Sequence, residues 1–492
     1  MKPESVPWIH RACLTMMTMG FLLAVSRPAQ AFPVFARKYQ TSCTTCHTIF
    51  PKLNPHGEAF RLNGYRMPKE MEEMVKQTPV STGAEAYKRL WPRAVWPSDI
   101  PGNAPVAVNI KMAVPYASSV DSAGNKTIVH ADLQLPQEVN LFAAGTLGEH
   151  MSFMTELTHG ENPDGSGGVE IEHARLDFDS ILGPDHLVNI RIGKFAPNLY
   201  DGFQEMWLMT NNGVDSLFAY NPVGFNGGTG LDEEQGLVSL PARVRGIEVY
   251  GVAAHRFFYT FGFASKIGPG GMDATGLPNG NFNNNSHKDF YARVDYKFGG
   301  MGLDGDTTGV NLPPENWREN SFRIGLLALS GNGTGIDNAV TDPSGMLVDP
   351  TTGSATDANG NPVVFHMQDT QYTRTGLFAS WMFGDLNLFG VILHGNDKLQ
   401  LRDSGNTLIL SESSRDFNGW FVQADYVILP PLQASLRYER LAPGDTSIKP
   451  LRFMNANLSY LLAANVKAML EYHKDLNVSQ NFDIAAVLRV AF

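Results

Sequence analysis

From residue 106 to the carboxyl terminus, apolar and polar residues alternate along the chain in short segments separated by clusters of Gly, Asn, Asp and Pro. In one segment, Leu176 and Phe178 alternate with Arg175, Asp177 and Asp179. A period of two residues is typical of a β-strand that presents two different faces. Strands with lipid on one face and water on the other show this split, so the pattern predicts an all-β transmembrane barrel.

The alternating segments number about sixteen, and an even number is expected of a bacterial barrel. We predict antiparallel strands at 106–116, 137–145, 150–158, 170–179, 186–195, 243–251, 256–265, 288–298, 320–330, 371–382, 385–394, 416–427, 432–440, 451–460, 465–473 and 482–492. The connections nearly alternate between tight and long, as in barrels with short periplasmic turns and long outer loops. The link at 299–319 is long where a tight turn is due. Either a neighbouring strand is misplaced or this link folds into the lumen.

Composition agrees with a barrel in the membrane. Hydrophobic residues make up 43% of the chain and charged residues 18%, and no apolar run after residue 31 is long enough for a membrane helix. A membrane protein without spanning helices must be a closed barrel. The terminal Phe492 ends a strand pattern that resembles the sorting signal of bacterial outer-membrane barrels. The alternative fold for such strands is a soluble sandwich. A formal charge of −11 argues against nucleic acid as a partner.

The first 31 residues have the features of an export signal. A short charged head contains Lys2 and Arg11, an apolar stretch covers 14–25, and Ala29-Gln30-Ala31 is a small-residue cleavage site. An apolar run of about a dozen residues is too short to span a bilayer, which needs roughly 20. We therefore expect cleavage after Ala31 and delivery to the outer membrane.

The pentad Cys43-Thr44-Thr45-Cys46-His47 holds the only two cysteines that remain after cleavage, because Cys13 leaves with the signal. Two thiols three residues apart, followed by a histidine, can form thioethers to both vinyl groups of a haem while the imidazole binds the iron. The alternatives are a lone disulfide or half of a zinc site, but zinc takes four ligands and the chain has no second cysteine pair. The pentad predicts one covalent haem c.

The haem segment is small, so we divide the chain into a signal at 1–31, a monohaem cytochrome c segment with its linker at 32–100, and a porin-like barrel at 101–492. So small a unit cannot bury a large core of its own, and a haem would supply apolar surface. Helices are predicted near 58–63 and 69–76, and the Pro-rich stretch 91–105 is typical of a linker. The candidate packing partners are Phe35, Phe50, Leu53, Phe60, Leu62 and Tyr65.

Residues 35–65, FARKYQTSCTTCHTIFPKLNPHGEAFRLNGY, resemble the amino-terminal cytochrome of the fused outer-membrane cytochrome-porins of iron-oxidising bacteria. The order of signal, haem segment and barrel covers the whole chain, but the specific motif occupies only these residues. The resemblance implies that Cys43 and Cys46 hold the haem and that His47 ligates its iron. It also implies an electron-transfer protein with Fe(II) oxidase activity, which takes electrons from extracellular Fe(II) and passes them to a periplasmic carrier such as a cytochrome or copper protein.

Four residues are candidates for the sixth ligand of the iron. A methionine raises the potential of a haem relative to a second histidine, which suits an acceptor of electrons from ferrous iron. Met67 is our choice on this ground, with Met71 and Met74 as rivals on the following helix. His56 is the other competitor, and its ligation would lower the potential.

A physical reason for joining a cytochrome to a barrel is that the apolar belt, about 25 Å tall, insulates the two sides from each other. We expect residues 32 to about 100 to plug the lumen and to place the haem within the depth of the membrane. Asp232-Glu233-Glu234 is a conceivable docking point for iron. Lumen-facing residues expected to contact the plug or its propionates are Arg175, Asp177, Arg191, Arg293, Asp295, Arg323, Asp425, Arg437, Glu439 and Arg489.

Two other functions are compatible with the sequence, and a third is disfavoured. Electrons could flow outward to an extracellular acceptor, since nothing in the pattern fixes direction. The barrel could instead be a solute or anion porin in which the haem segment is a plug. A haem enzyme such as a peroxidase needs distal acid–base residues, and no such set stands out in the sequence.

Overall fold

The computed structural model describes residues 34–39, 41–67, 105–120, 125–129, 132–161, 167–183, 185–199, 217, 243–265, 288–333, 366–367, 370–398, 400–402, 408–411, 415–444, 446 and 449–492. Several predicted features lie outside these residues. They are the export signal at 1–31, the helix at 69–76, the linker up to residue 104, Met71, Met74 and the acidic run at 232–234.

The amino-terminal segment, residues 34–67, contains two short helices and one small hairpin. Its elements are α1 (Val34–Lys38), a 3₁₀ turn (Cys43–Thr45), β1 (His47–Ile49), β2 (Lys52–Leu53) and α2 (Pro55–Leu62). β1 pairs with β2 in antiparallel register. The helix predicted at 58–63 is therefore present but begins earlier, at Pro55.

Sixteen antiparallel strands form a closed barrel, so the predicted barrel and its number of strands are confirmed. The strands are β3 (Val106–Val120), β5 (Gln134–Leu147), β6 (Met151–Glu161), β7 (Gly167–Leu182), β8 (Val188–Phe195), β9 (Val244–Ala253), β10 (Phe257–Ala264), β11 (Asp289–Gly299), β12 (Glu319–Gly333), β14 (Thr370–Gly384), β15 (Leu386–Asp397), β18 (Arg415–Leu429), β19 (Leu432–Pro443), β20 (Leu451–Ala463), β21 (Val466–Asp475) and β22 (Phe482–Ala491). β4 (Lys126–Val129) pairs with the outer end of β3. β13 (His366–Met367), β16 (Gln400–Arg402) and β17 (Leu408–Ser411) form a separate sheet.

The barrel closes because the last strand, β22, pairs with the first, β3, as well as with β21. Along the wall, each strand follows its neighbour in the chain, so the closed cylinder has no exposed edge. The tight turns, such as the one between β20 and β21, share one end of the barrel with both ends of the barrel sequence. By the usual orientation of such barrels, this is the periplasmic end.

The two faces of the wall differ in polarity, as the sequence predicts. Outward side chains are apolar and exposed, among them Leu176, Ile192, Phe290 and Leu436. Inward side chains include buried arginines, and Arg191, Arg293, Arg374 and Arg437 are each under 2% exposed. An apolar exterior around a polar interior is typical of a membrane barrel. Within the part of the chain that is described, no helix has the length and apolarity to span a bilayer.

The link between β11 and β12, residues 300–318, folds inward, and the flanking strands lie where they were predicted. Leu303 packs with Tyr250, Val252 and Phe258 of the wall. Its amide also donates to the carbonyl of His255 at 2.8 Å. The second of the two explanations for this long link, that it folds into the lumen, is therefore correct.

Candidate functional site

The first three residues of the pentad form a 3₁₀ turn, Cys46 caps it, and His47 begins β1. The Ser42 hydroxyl caps the turn by accepting from the amide of Thr44, and the amide of Cys46 donates to the carbonyl of Cys43 at 3.2 Å. Both cysteines are partly buried thiols. The turn brings two thiols three residues apart into one local structure, directly before His47.

The ring of His47 is fixed by a backbone contact. Its Nδ1 lies 3.0 Å from the carbonyl oxygen of Pro51. A carbonyl only accepts, so Nδ1 carries the hydrogen, and the neutral ring then presents the lone pair of Nε2 to a metal. Burial lowers the pKa of His47, which favours the neutral ring. This is the state that iron ligation requires.

The surroundings of the thiols also favour uncharged sulfur. Burial, with a smaller contribution from Cys43, raises the pKa of Cys46 to about 12. Thioether sulfur carries no charge, so it suits this environment, whereas a thiolate ligand would be desolvated. Two neutral sulfurs for the vinyl groups and one oriented imidazole for the iron therefore fit a covalent haem.

Helix α2 begins against the pentad. Asn54 is its N-cap, and its Oδ1 accepts from the amide of Gly57 at 2.9 Å, with Pro55 at the first helical position. The Nδ2 of Asn54 donates to the carbonyl of Thr45 at 3.1 Å. A Cβ on Gly57 would lie 2.0 Å from the carbonyl oxygen of Cys46, so only glycine permits this close approach.

The barrel holds the same turn from the other side. Asn316, in the inward link, donates from Nδ2 to the carbonyls of Thr44 and Thr45 at 2.6 and 3.1 Å. Two asparagine amides, one from each part of the chain, thus bind the two carbonyls between the cysteines. This anchoring fixes the pentad relative to the wall.

Aromatic residues hold the amino-terminal segment together. Phe35 stacks on Tyr65 with centroids 4.8 Å apart and meets Phe60 edge-on at 5.3 Å. Leu62 packs into the wall cluster of Tyr250, Val252, Phe258 and Leu303, and Phe50 packs against Ile49 and Leu461. The predicted packing residues therefore divide between the segment's own cluster and its contact with the barrel.

Polar contacts connect the segment to strands around the barrel. The Nζ of Lys52 lies 2.6 Å from Asp425 and 2.8 Å from Asn387, and all three side chains are buried. On another side, Arg66 lies 3.1 Å from Asp179 and donates to the carbonyl of Met151 at 2.8 Å. Further contacts join Arg37 to Val106, Lys38 to Thr146, Arg61 to Asn198, Asn63 to Asp304 and Tyr65 to Arg175.

Glu58 and Arg61 form an ion pair on α2. Burial alone would raise the pKa of Glu58, but Arg61, at 2.8 Å, and then Arg323 and Arg293 lower the pKa to about 2. The Nη1 of Arg323 on β12 is 3.8 Å from the carboxylate. An ionised Glu58 thus connects the helix to the arginines of the wall.

The two leading candidates for the sixth ligand lie together. The Nε2 of His56 is 3.3 Å from the Sδ of Met67. The structure therefore brings Met67 and His56 to one place at the segment's end and does not choose between them. Met71 and Met74 lie outside the described residues.

The predicted lumen residues have two kinds of partner. Arg175, Arg323 and Asp425 contact the segment, as expected. Others pair along the wall: Arg191 with Asp177 at 2.5 Å and Glu248 at 3.3 Å, Arg293 with Asp295 at 2.7 Å, and Arg437 with Glu439 at 2.7 Å.

Sequence reasoning missed Asn54, Gly57, Lys52 and Asn316. For Asn54 a signal was present, because Asn before Pro with Glu58 following is typical of a helix start. Among the described residues, no three or more His, Cys, Asp or Glu side chains cluster as a protein-only metal site.

No protein-family model matches the chain, and no curated protein matches it. Solved structures that it resembles are outer-membrane barrels. The anion-selective porin from Comamonas acidovorans matches with a TM-score of 0.45 and 13% identity, over 79% of this chain and 98% of that one. Salmonella typhi OmpF, in complex with daunomycin, has a TM-score of 0.45 and 9% identity, over 79% of this chain and 97% of that one. The channel DcaP of Acinetobacter baumannii has a TM-score of 0.42 and 12% identity, over 79% of this chain and 96% of that one.

These likenesses are too distant to carry an argument about function. The class of the protein rests on its own topology, a closed antiparallel barrel of sixteen strands with an apolar exterior. The resemblance of residues 35–65 to cytochrome-porin fusions remains a prediction, because no family match supports it.

Proposed function

We propose that this protein is an outer-membrane barrel that transfers single electrons, with one haem c held by Cys43, Cys46 and His47 in the periplasmic part of its lumen. One observation carries this proposal: the segment that bears the pentad contacts inward-facing residues on opposite sides of the barrel, such as Asp179 on β7 and Asp425 on β18. The segment would thus act as a plug, and its cofactor would sit inside the wall that insulates the two sides.

The residues of the chain have separate tasks in this proposal. Asn54 and Asn316 hold the turn between the cysteines, and the Pro51 carbonyl orients His47. Met67, or His56 beside it, would supply the second axial ligand. When bound, the haem supplies a one-electron couple whose potential depends on these ligands.

The interior supports a plug more than an open channel. Four inward arginines under 2% exposed lie where water would otherwise line a wide pore. Sixteen strands enclose a lumen wide enough for an aqueous channel, so protein must cover these side chains. A filled lumen would pass electrons without passing solutes.

The donor and acceptor follow from the resemblance alone. We propose extracellular Fe(II) as donor and a periplasmic cytochrome or copper protein as acceptor. The midpoint potential tests the direction, because a clearly positive value fits ferrous donation and a strongly negative value favours outward flow to an extracellular acceptor.

The experiment compares the full-length protein with Cys43→Ser/Cys46→Ser, both made in a host that attaches haem c. The wild type should carry one covalent haem, and in liposomes it should pass electrons from external ferrous iron to an enclosed acceptor. The double variant should do neither. Wild-type protein isolated without porphyrin would overturn the proposal.

The second candidate is a solute or anion porin, and the barrel by itself supports this coarser function more directly than it supports electron transfer. Arginines on the inner wall are the specific observation in its favour, although most contact carboxylates. Liposome swelling in small anions separates the two functions, because a porin passes solutes whether or not haem is attached.

A further inference from the structure

Three cations lie side by side on the inner wall near the periplasmic end. Lys467 on β21 pairs in register with Arg489 on β22, and Arg489 pairs with Lys111 on β3. Neighbouring strands are about 4.8 Å apart, so the three positions form one row. We call Lys111, Lys467 and Arg489 the cation row.

Lys467 is buried without a hydrogen-bond acceptor among the described residues. Its side chain is 1% exposed, and its Nζ donates to none of them. Its Nζ lies 5.5 Å from the centroid of the Phe50 ring in the amino-terminal segment. A cation–π contact attracts the ammonium but leaves its three donors unsatisfied.

Glu471, an acidic residue on the same strand, does not accept a hydrogen bond from the Nζ of Lys467. Glu471 is separated from Lys467 along the strand by Met469, which packs with Val487, Ala113 and Ala485 in an apolar cluster. Its carboxylate accepts from Asn455 and Asn457 at 2.9 and 3.1 Å.

On the other side, Glu138 of β5 pairs in register with Lys111 and is the acid in line with the row. Glu138 and Glu471 thus both lie near the row, yet the Nζ of Lys467 donates to neither carboxylate. Like charges on opposed strand positions repel, and a desolvated ammonium without an acceptor is costly. An oxyanion bound between them would offset both costs.

We propose that the cation row binds an oxyanion, a carboxylate or phosphate group, with Lys467 as its principal donor. Two sources have this chemistry. One is a carboxylate of the haem, which rests on the proposed function: Phe50, whose ring lies against Lys467, follows His47 by three residues. The other is a free anion from the periplasm.

The test uses the full-length protein in detergent and the variant Lys467→Met, with Lys474→Met, at the other end of the same strand, as control. Methionine keeps the length of the side chain, and replacing an unpaired buried charge with it would be neutral or stabilising. If an oxyanion is bound, Lys467→Met should instead have a lower Tm than the wild type. The control should respond to phosphate as the wild type does.

The two sources are separated by an inorganic phosphate series on the haem-bearing protein and on the Cys43→Ser/Cys46→Ser background. A haem carboxylate predicts a phosphate-dependent rise in Tm only without haem. It also predicts that Lys467→Met lowers the midpoint potential by about 59 mV, a tenfold change in a one-electron equilibrium. A free oxyanion predicts the rise in both forms, with affinity weakened about tenfold or more in Lys467→Met.

The site is overturned if phosphate raises Tm in neither form and Lys467→Met leaves the potential unchanged. If the protein carries no haem at all, the proposed function fails, but the phosphate series on that protein still decides whether the cation row binds an oxyanion.

Discussion

At the scale of single residues, Gly57 decides how closely α2 approaches the pentad. Because a Cβ there would lie 2.0 Å from the Cys46 carbonyl, Gly57→Ala must displace either the helix or the turn. We expect a loss of about 1–3 kcal/mol in the docking of the segment, as for other overpacked sites. Limited proteolysis of the segment measures this loss of docking free energy.

The control is Gly160→Ala on β6, where an added Cβ would meet no atom within 4 Å. Equal protease protection for Gly57→Ala and the wild type would mean that the turn adapts without cost.

Glu58 should make the docking of the segment depend on pH. Its pKa of about 2 in the folded protein lies below the ordinary value of 4.5, so the carboxylate contributes stability that is fully present above pH 4.5. That contribution should fall as the pH drops from 4.5 to about 2, and Glu58→Gln should remove this part of the dependence. Protease protection followed across this range checks it; an identical pH profile in the variant would contradict the role of Glu58.

The residues that sequence reasoning found and missed differ in a physical way. Cys43, Cys46 and His47 form a local pattern whose chemistry depends on spacing, so they could be named without a fold. Asn316 acts through a contact more than 270 residues away along the chain, and no periodicity encodes such a contact. Lys52 likewise pairs with Asp425, which is 373 residues away along the chain.

At the scale of elements, the inward link at 300–318 acts as a support for the pentad. Asn316→Ala removes two hydrogen bonds to the carbonyls of Thr44 and Thr45, and we expect a loss of about 1 kcal/mol. Asn54→Ala removes a helix cap as well and should cost about 1–2 kcal/mol. Because both amides bind the same carbonyls, the double variant should be non-additive.

Chemical denaturation of the segment, followed by the absorption of an attached haem or by protease protection, measures this cycle. Asn311→Ala, at an exposed position in the same link, is the matched control. Additive losses would show that the two amides act independently.

The elements of the barrel were predictable because each strand has two chemically different faces, and a one-residue slip would turn arginines toward lipid. Strand ends were less certain: β12 extends to Gly333 and β7 to Leu182, beyond the alternating pattern in each case. Hydrogen bonding to the neighbouring strand, which a single segment does not reveal, sets these ends.

At the scale of the whole molecule, the main question is whether the lumen conducts. If the amino-terminal segment is a plug, the wild type should show low ion conductance in planar bilayers and little liposome swelling. Lys52 and Arg66 attach the segment at opposite parts of the wall, and both contacts are with buried carboxylates. Breaking a buried pair costs about 3–5 kcal/mol, because one charge stays uncompensated. Lys52→Met/Arg66→Met should therefore raise conductance and reduce electron transfer together.

Lys474→Met keeps the plug's contacts and serves as the control for a lost lysine. Opposite changes in conductance and electron transfer are the signature of one lumen that holds either protein or water. A wild type that already conducts steadily, with no further rise in the double variant, would favour the porin and would place the cofactor-bearing segment outside the path of ions. Conductance that rises while electron transfer stays constant would mean that electrons cross without the docked segment, and the barrel-embedded conduit would then be wrong.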